Sequence, residues 1–174
     1  MTDGLDRMVT GRVRDIFLEA GITGWEAELV GARYTGARAA SLGEPPSLWR
    51  LVTTGWGGIA PARSGLRRVE GPCPGCGKQV YRGALDPSRL FDCERWDGSD
   101  IFMIWPFPAY VWVTPRVADV VRANNLKGAR LLSLADPEAR VFAAAAELGV
   151  GTWRLSNYMP RDRARELGTP LGIA

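Results

Sequence analysis

Cys73 and Cys76, in the run Cys73-Pro74-Gly75-Cys76-Gly77, are the side chains whose types and spacing most directly permit chemistry in this sequence. Two thiolates at that spacing can grip one metal ion, with Pro74 stiffening the loop and Gly77 free to take a positive φ that turns backbone amides toward sulfur. Structural zinc requires four ligands. Beyond this pair the chain offers one more thiol, so a zinc site reads as Cys73, Cys76 and Cys93 plus an oxygen from Asp92, Glu94 or Asp97, a water, or a group from a second chain in a homodimer. Two other readings stand beside zinc: a knuckle that is structurally useful without metal, and a thioredoxin-like dithiol. The dithiol motif should open a helix after a strand, whereas the residues that follow, KQVYRG (Lys78 to Gly83), are strand formers. A disulfide does not suit a reducing compartment.

A second cluster is acidic. Asp92, Glu94, Asp97 and Asp100 crowd into the segment 92–100. Asp97-Gly98 is a turn dipeptide, so the plain expectation is an acidic hairpin tip between a strand ending near Arg95 and one starting at Asp100. The chemical alternative is a carboxylate site in which Asp97, Asp100 and Glu94 hold Mg²⁺ for hydrolysis of phosphodiester or glycosidic bonds. Composition weighs against catalysis: the chain has no histidine, which removes Ser-His-Asp and Cys-His nucleophiles, HExxH zinc sites and the commonest general base near neutral pH. The expectation is a protein that is not an enzyme. TTGWGGIAPARSG (Thr53 to Gly65) is glycine-rich but lacks the Lys-Ser/Thr of a phosphate-binding loop, and reads as a surface loop. Its Trp56, with Trp49, Trp96, Trp105 and Trp112, supplies large amphipathic side chains that are core where buried and contact residues where exposed.

The net charge of +3 is spread as arginines from Arg7 to Arg165, a diffuse pattern that argues against a nucleic-acid partner, which wants a concentrated basic face. The start, Met-Thr-Asp-Gly-Leu-Asp, lacks a basic then apolar leader. The longest apolar stretch, Ile101 to Val113, is broken by Pro106 and Pro108 and falls short of the ~20 residues a membrane-crossing helix needs. The expectation is a cytoplasmic protein without membrane partners.

The elements that must position these residues show an internal echo. VTGRVRDIFLEAGITG (Val9 to Gly24) and VTPRVADVVRANNLKG (Val113 to Gly128) align with a constant offset of 104 and six identities. Thr10 and Thr114 suit the N-cap, Pro115 suits the first helical position, and Val13, Ile16 and Phe17 (Val117, Val120 and Val121) share one helical face. An extended apolar segment follows each, Trp25 to Val30 and Ala129 to Leu134, giving two helix-turn-strand units, 9–30 and 113–134. Strands are also predicted at Ser47 to Thr54, Lys78 to Gly83, Asp100 to Trp105 and Ala109 to Val113. Residues 136–174 read as a helical C-terminal segment, with one helix opened by Asp136-Pro137 and stopped at Gly149 and a second over Arg161 to Leu167. One α+β domain with a mixed or antiparallel sheet and a knuckle-like insert over 71–100 results.

CPGCGK, LDPSRLFD, WDGSDIF and VTPRVADVVRANNLKGARLLSL together resemble the double-CxxCG-motif proteins best known from myxobacteria, over roughly Trp49 to Leu134. That family is regarded as immunity proteins that neutralise cognate toxins. The resemblance implies a cytoplasmic binding protein whose partner is a polymorphic toxin, with zinc on paired CxxCG motifs; this chain carries one such motif, Cys73 to Gly77. Asp97, Asp100, Trp56 and Trp96 are then the expected partner-binding residues, the acids meeting a basic toxin patch. A metal-dependent hydrolase or nuclease, and a zinc-ribbon nucleic-acid binder, are the alternatives.

Overall fold

The computed structural model describes residues 7–37, 41–134, 136 and 146–174. The described strands form three separate three-stranded sheets. In the first, β1 (Arg7–Thr10) and β2 (Trp25–Val30) pair antiparallel with a central β3 (Leu48–Thr53). In the second, β7 (Ile101–Trp105) is central, parallel to β4 (Gly55–Ile59) and antiparallel to β8 (Trp112–Val113). The third joins β5 (Arg67–Glu70), a central β6 (Gln79–Arg82) and β9 (Val150–Thr152), all antiparallel. With α1 (Gly11–Glu19), α2 (Pro115–Ala123) and α3 (Arg161–Gly168), this is an α+β fold.

β7 shows why a continuous apolar run makes a strand here. Side chains alternate across a strand, and a strand covered on both faces is apolar throughout. Every residue of β7 is buried: Met103 and Trp105 enter one core cluster with Trp56, Leu155 and Met159, while Phe102 and Ile104 enter another with Leu66, Leu90 and Phe107. Ile101 joins a third cluster with Phe17, Ile22, Leu51 and Val117.

The echo in the sequence is an echo in space. α1 and α2 are nine residues each, at the expected offset. Both end in the same left-handed stop: the amides of Ala20, Gly21 and Ile22 donate to Ile16, Leu18 and Phe17 at 2.9, 3.0 and 3.0 Å, and those of Asn124, Asn125 and Leu126 to Val120, Arg122 and Val121 at 3.1, 3.0 and 3.0 Å. The residue in the left-handed conformation is Gly21 in one unit (φ 60) and Asn125 in the other (φ 50), the two residue types that tolerate it best. The units also cap each other. Arg12 Nη2 donates to the Asn124 carbonyl at 3.0 Å, and its counterpart Arg116 donates through Nη2 to the Ala20 carbonyl, so each helix C-terminus receives a cation from the other unit.

Several sequence expectations are corrected. Residues 129–134, the predicted strand of the second unit, form none. Met8↔Arg50 and Val9↔Trp49 correspond to Trp112↔Phe102 and Val113↔Ile101, so β8 is the counterpart of β1 and β7 that of β3. The edge of β7 that a counterpart of β2 would need is taken by β4, with Ile59 opposite Trp105 and the Ala60 amide on the Trp105 carbonyl at 2.7 Å. β4 itself lies in the glycine-rich stretch predicted to be a surface loop. Its glycines let two backbones approach: a Cβ on Gly55 would stand 2.2 Å from the Ile101 carbonyl oxygen, and one on Gly57 2.6 Å from the Phe102 ring. Cys93–Arg95 is a 3-10 turn rather than a strand end. Neither Thr10 nor Thr114 caps its helix through the side chain; the Thr114 hydroxyl donates to Asp100 instead. The C-terminal segment is not all helical, since β9 completes the third sheet. The helix predicted after Asp136 lies largely outside the described residues, whereas that predicted from Arg161 is α3.

Candidate functional site

The acids of the 92–100 segment are held by cations and hydroxyls from distant elements. Asp97 Oδ1 accepts from the Ser99 amide and hydroxyl at 3.1 and 2.5 Å, and Oδ2 from the Trp56 amide and Arg163 Nη2, both at 2.9 Å. A carboxylate has about four acceptor positions, and these contacts fill them. Asp100 is buried between the two repeated units. Its Oδ1 accepts from Thr114 Oγ1 at 2.9 Å, and its Oδ2 from the Thr23 amide and hydroxyl, both at 3.2 Å, and from Arg116 Nη1 at 2.7 Å. Burial by itself would raise the Asp100 pKa; the bonds from Thr114 and Thr23 and the nearby Arg116 charge outweigh it and hold the carboxyl below its usual range. Asp92 sits between Arg63 and Arg95 at 3.4 and 3.6 Å. Glu94 is exposed on the neighbouring turn.

The expected partner surface is therefore redistributed. Trp56 and Asp97 are brought together, but through a strand backbone and not as an exposed pair, because Trp56 is buried with Met103 and Trp105. Trp56 and Asp100, each only 7% exposed, are corrected to interior residues. Trp96 is half-buried, its indole N–H donating to the Ser99 carbonyl at 3.0 Å and its ring packed on Phe91 and Phe102. The acidic segment, with arginines on Asp92, Asp97 and Asp100, does not present the bare negative charge that the sequence suggested.

The knuckle is a closed loop. The Cys73 amide donates to the Lys78 carbonyl at 2.9 Å and the Gly77 amide to the Cys73 carbonyl at 2.8 Å, with Gly77 at φ 72. Backbone amides of Cys76 and Gly75, and then the Cys76 side chain, stabilise the Cys73 thiolate and pull its pKa down. All three cysteines are exposed free thiols. Cys73 and Cys76 fit as two ligands of a metal, but among the described residues no three His, Cys, Asp or Glu side chains gather around one point. Cys93, carried on its own turn, does not complete the pair, so a four-ligand zinc centre does not fit the described residues of one chain.

Two features were missed by sequence reasoning. One is a groove of about 250 Å³ between the first sheet and the 155–161 segment, framed by Arg7, Glu28, Arg50, Tyr158, Met159 and Arg161. Burial lowers the Arg7 pKa, and Arg7 Nη2 donates to the Pro108 carbonyl at 3.3 Å. The other is a cleft of about 320 Å³ beside the knuckle. Both join residues far apart in the sequence, and no local pattern signals such a meeting. Among the described residues no helix is long and apolar enough to cross a membrane.

No protein-family model matches this sequence, and neither does any curated protein or any solved structure.

Proposed function

We propose that this chain is a non-enzymatic binding protein that acts by occluding a protein partner, and that the partner is a toxin. The observation that carries the first part is the engagement of Asp97 and Asp100. The acids that hydrolysis would need are spent on Arg163, Arg116, Ser99, Thr23 and Thr114, leaving no acceptor position on Asp97 for Mg²⁺. The choice of a toxin rests on the resemblance of Trp49 to Leu134 to immunity-type proteins. With the acidic segment neutralised, the groove framed by Arg7, Arg50, Arg161 and Tyr158 is the better contact surface, since Arg and Tyr are enriched in interface cores.

Co-expression should rescue the growth of cells poisoned by a toxin from a neighbouring gene, and the purified pair should form a stable complex. Replacing Tyr158 and Arg161 together by Ala should weaken that complex by about 30-fold or more, the loss expected of an interface anchor. Magnesium-dependent turnover of a nucleic acid or glycan by wild type, lost in Asp97→Asn, would overturn the reading.

A further inference from the structure

The acids of 92–100 are answered by Arg63, Arg95, Arg116 and Arg163. The cations of the third sheet have no such answer. Arg67 of β5 stands directly opposite Arg82 of β6. Directly opposed side chains of an antiparallel pair share a face, with Cβ atoms ~5 Å apart, and like charges so placed repel. Both arginines are exposed, and among the described residues neither reaches a carboxylate. Glu70, the one acid in the three strands, stands opposite Val80 instead. Two facing guanidiniums with no carboxylate between them make a seat for an anion, and the planar fork of guanidinium matches the oxygens of a phosphate.

The same face continues along β6. Side chains alternate across a strand. Gln79 and Tyr81 are buried, so Lys78, Val80 and Arg82 point the other way, and Lys78 and Arg82 are exposed. Glycines on the β9 side supply the floor beside them: a Cβ on Gly149 would stand 3.1 Å from Arg82 Nε, and one on Gly151 3.9 Å from Lys78 Cε, so both cationic side chains lean across toward that edge. The β6–β9 register, carried one residue beyond Gln79↔Thr152, sets Trp153 opposite Lys78, and Trp153 is 41% exposed. Lys78 and Arg82, four residues apart, are separated by about 13 Å along the strand.

We propose that this face of the third sheet binds single-stranded nucleic acid, with one phosphate between Arg67 and Arg82, another at Lys78, and a base stacked on Trp153. Cations that track a backbone beside an exposed aromatic ring are what such binding uses. A run of carboxylates would answer the cations and leave the indole idle, and a duplex keeps its base faces covered. The face shares no residue with the groove framed by Tyr158 and Arg161, so its fate is separate from that of toxin binding.

The test is fluorescence anisotropy of a labelled oligothymidylate of about 12 nucleotides, titrated with the purified chain at salt from about 50 to 200 mM. Saturable binding is expected, with a slope of log K against log salt of about −2, since each of three cations contributes about −0.7. Replacing Arg67 and Arg82 together by Gln should reduce that slope to about −0.7 and weaken binding at low salt at least tenfold. The urea midpoint of this variant should not fall, because the change relieves a like-charge pair. Trp153→Ala should weaken binding about tenfold with the slope unchanged. The same strand annealed to oligoadenylate should bind several-fold more weakly. No saturable binding at about 50 mM salt, or binding that keeps its strength in both variants, overturns the proposal. Displacement of the oligonucleotide by polyglutamate of equal charge at equal concentration overturns it too, and assigns the face to an acidic protein.

Discussion

The two repeated units part company after their helices. At the helix stop their three backbone bonds match, and each helix end receives an arginine from the other unit. Beyond the stop the first unit continues into β2, while the second continues into residues 129–134, which form no strand. The segment following each helix is apolar in both units, so local sequence does not explain the difference. A helix satisfies its own backbone within a few residues, but a strand needs a free edge beside it. β3 offers that edge to β2, and β7 has given its equivalent edge to β4.

The largest test of this explanation is the packing that lets β4 take its place. Gly57→Val forces a branched side chain into Phe102 and Ile104, and is expected to cost about 3 kcal/mol, read as a fall in the urea midpoint. Next is the joint between the units. Asp100→Asn removes the charge that Arg116 answers inside a buried cluster, and should cost about 2–3 kcal/mol by the same measurement. The loss has a pH signature. A carboxyl with a depressed folded pKa contributes stability that is complete above the unfolded value near 4 and disappears as pH falls through the folded value. The gap between wild type and Asp100→Asn should therefore be constant from about pH 6 to 8 and close on acidification below about pH 4. A gap that did not move with pH would remove the charge from the explanation.

The reciprocal caps give a smaller contrast. Arg12→Ala should cost about 0.5–1 kcal/mol, the usual worth of a cation at an exposed helix end. Arg116→Ala should cost about 1 kcal/mol more because it also leaves Asp100 unanswered. Equal losses would show that the units are symmetric in energy as well as in form. The smallest effect has the opposite sign: Asn125→Gly, which copies Gly21 into the second unit at a left-handed position, should stabilise by about 0.5 kcal/mol.

Much of the helical framework could be read from the residues. The offset of 104, the face of Val13, Ile16 and Phe17, and the run of β7 each point to what formed. The partner-binding residues read less well. Asp97 and Asp100 are acids at a turn in the sequence, and only the arrival of Arg163 from α3 and Arg116 from α2 turns them into struts. Trp56 sits among glycines that suggest a loop, yet those glycines are what allow a strand to lie close against β7. The cleft beside the knuckle had no signal at all, because its parts come from the knuckle, β6, the segment after β9 and residues 169–174.

By itself the sequence determined the elements whose hydrogen bonds close locally: the two matched helices with their left-handed stops, α3, and the Cys73 to Gly77 turn. Tertiary structure decided which strand edges were occupied, which acids met arginines, and which polar groups were left without partners. The physical reason is range. A helix turn binds residues three to five positions apart, whereas the Asp100 cluster joins residues 77 positions apart and the Asp97 to Arg163 pair 66.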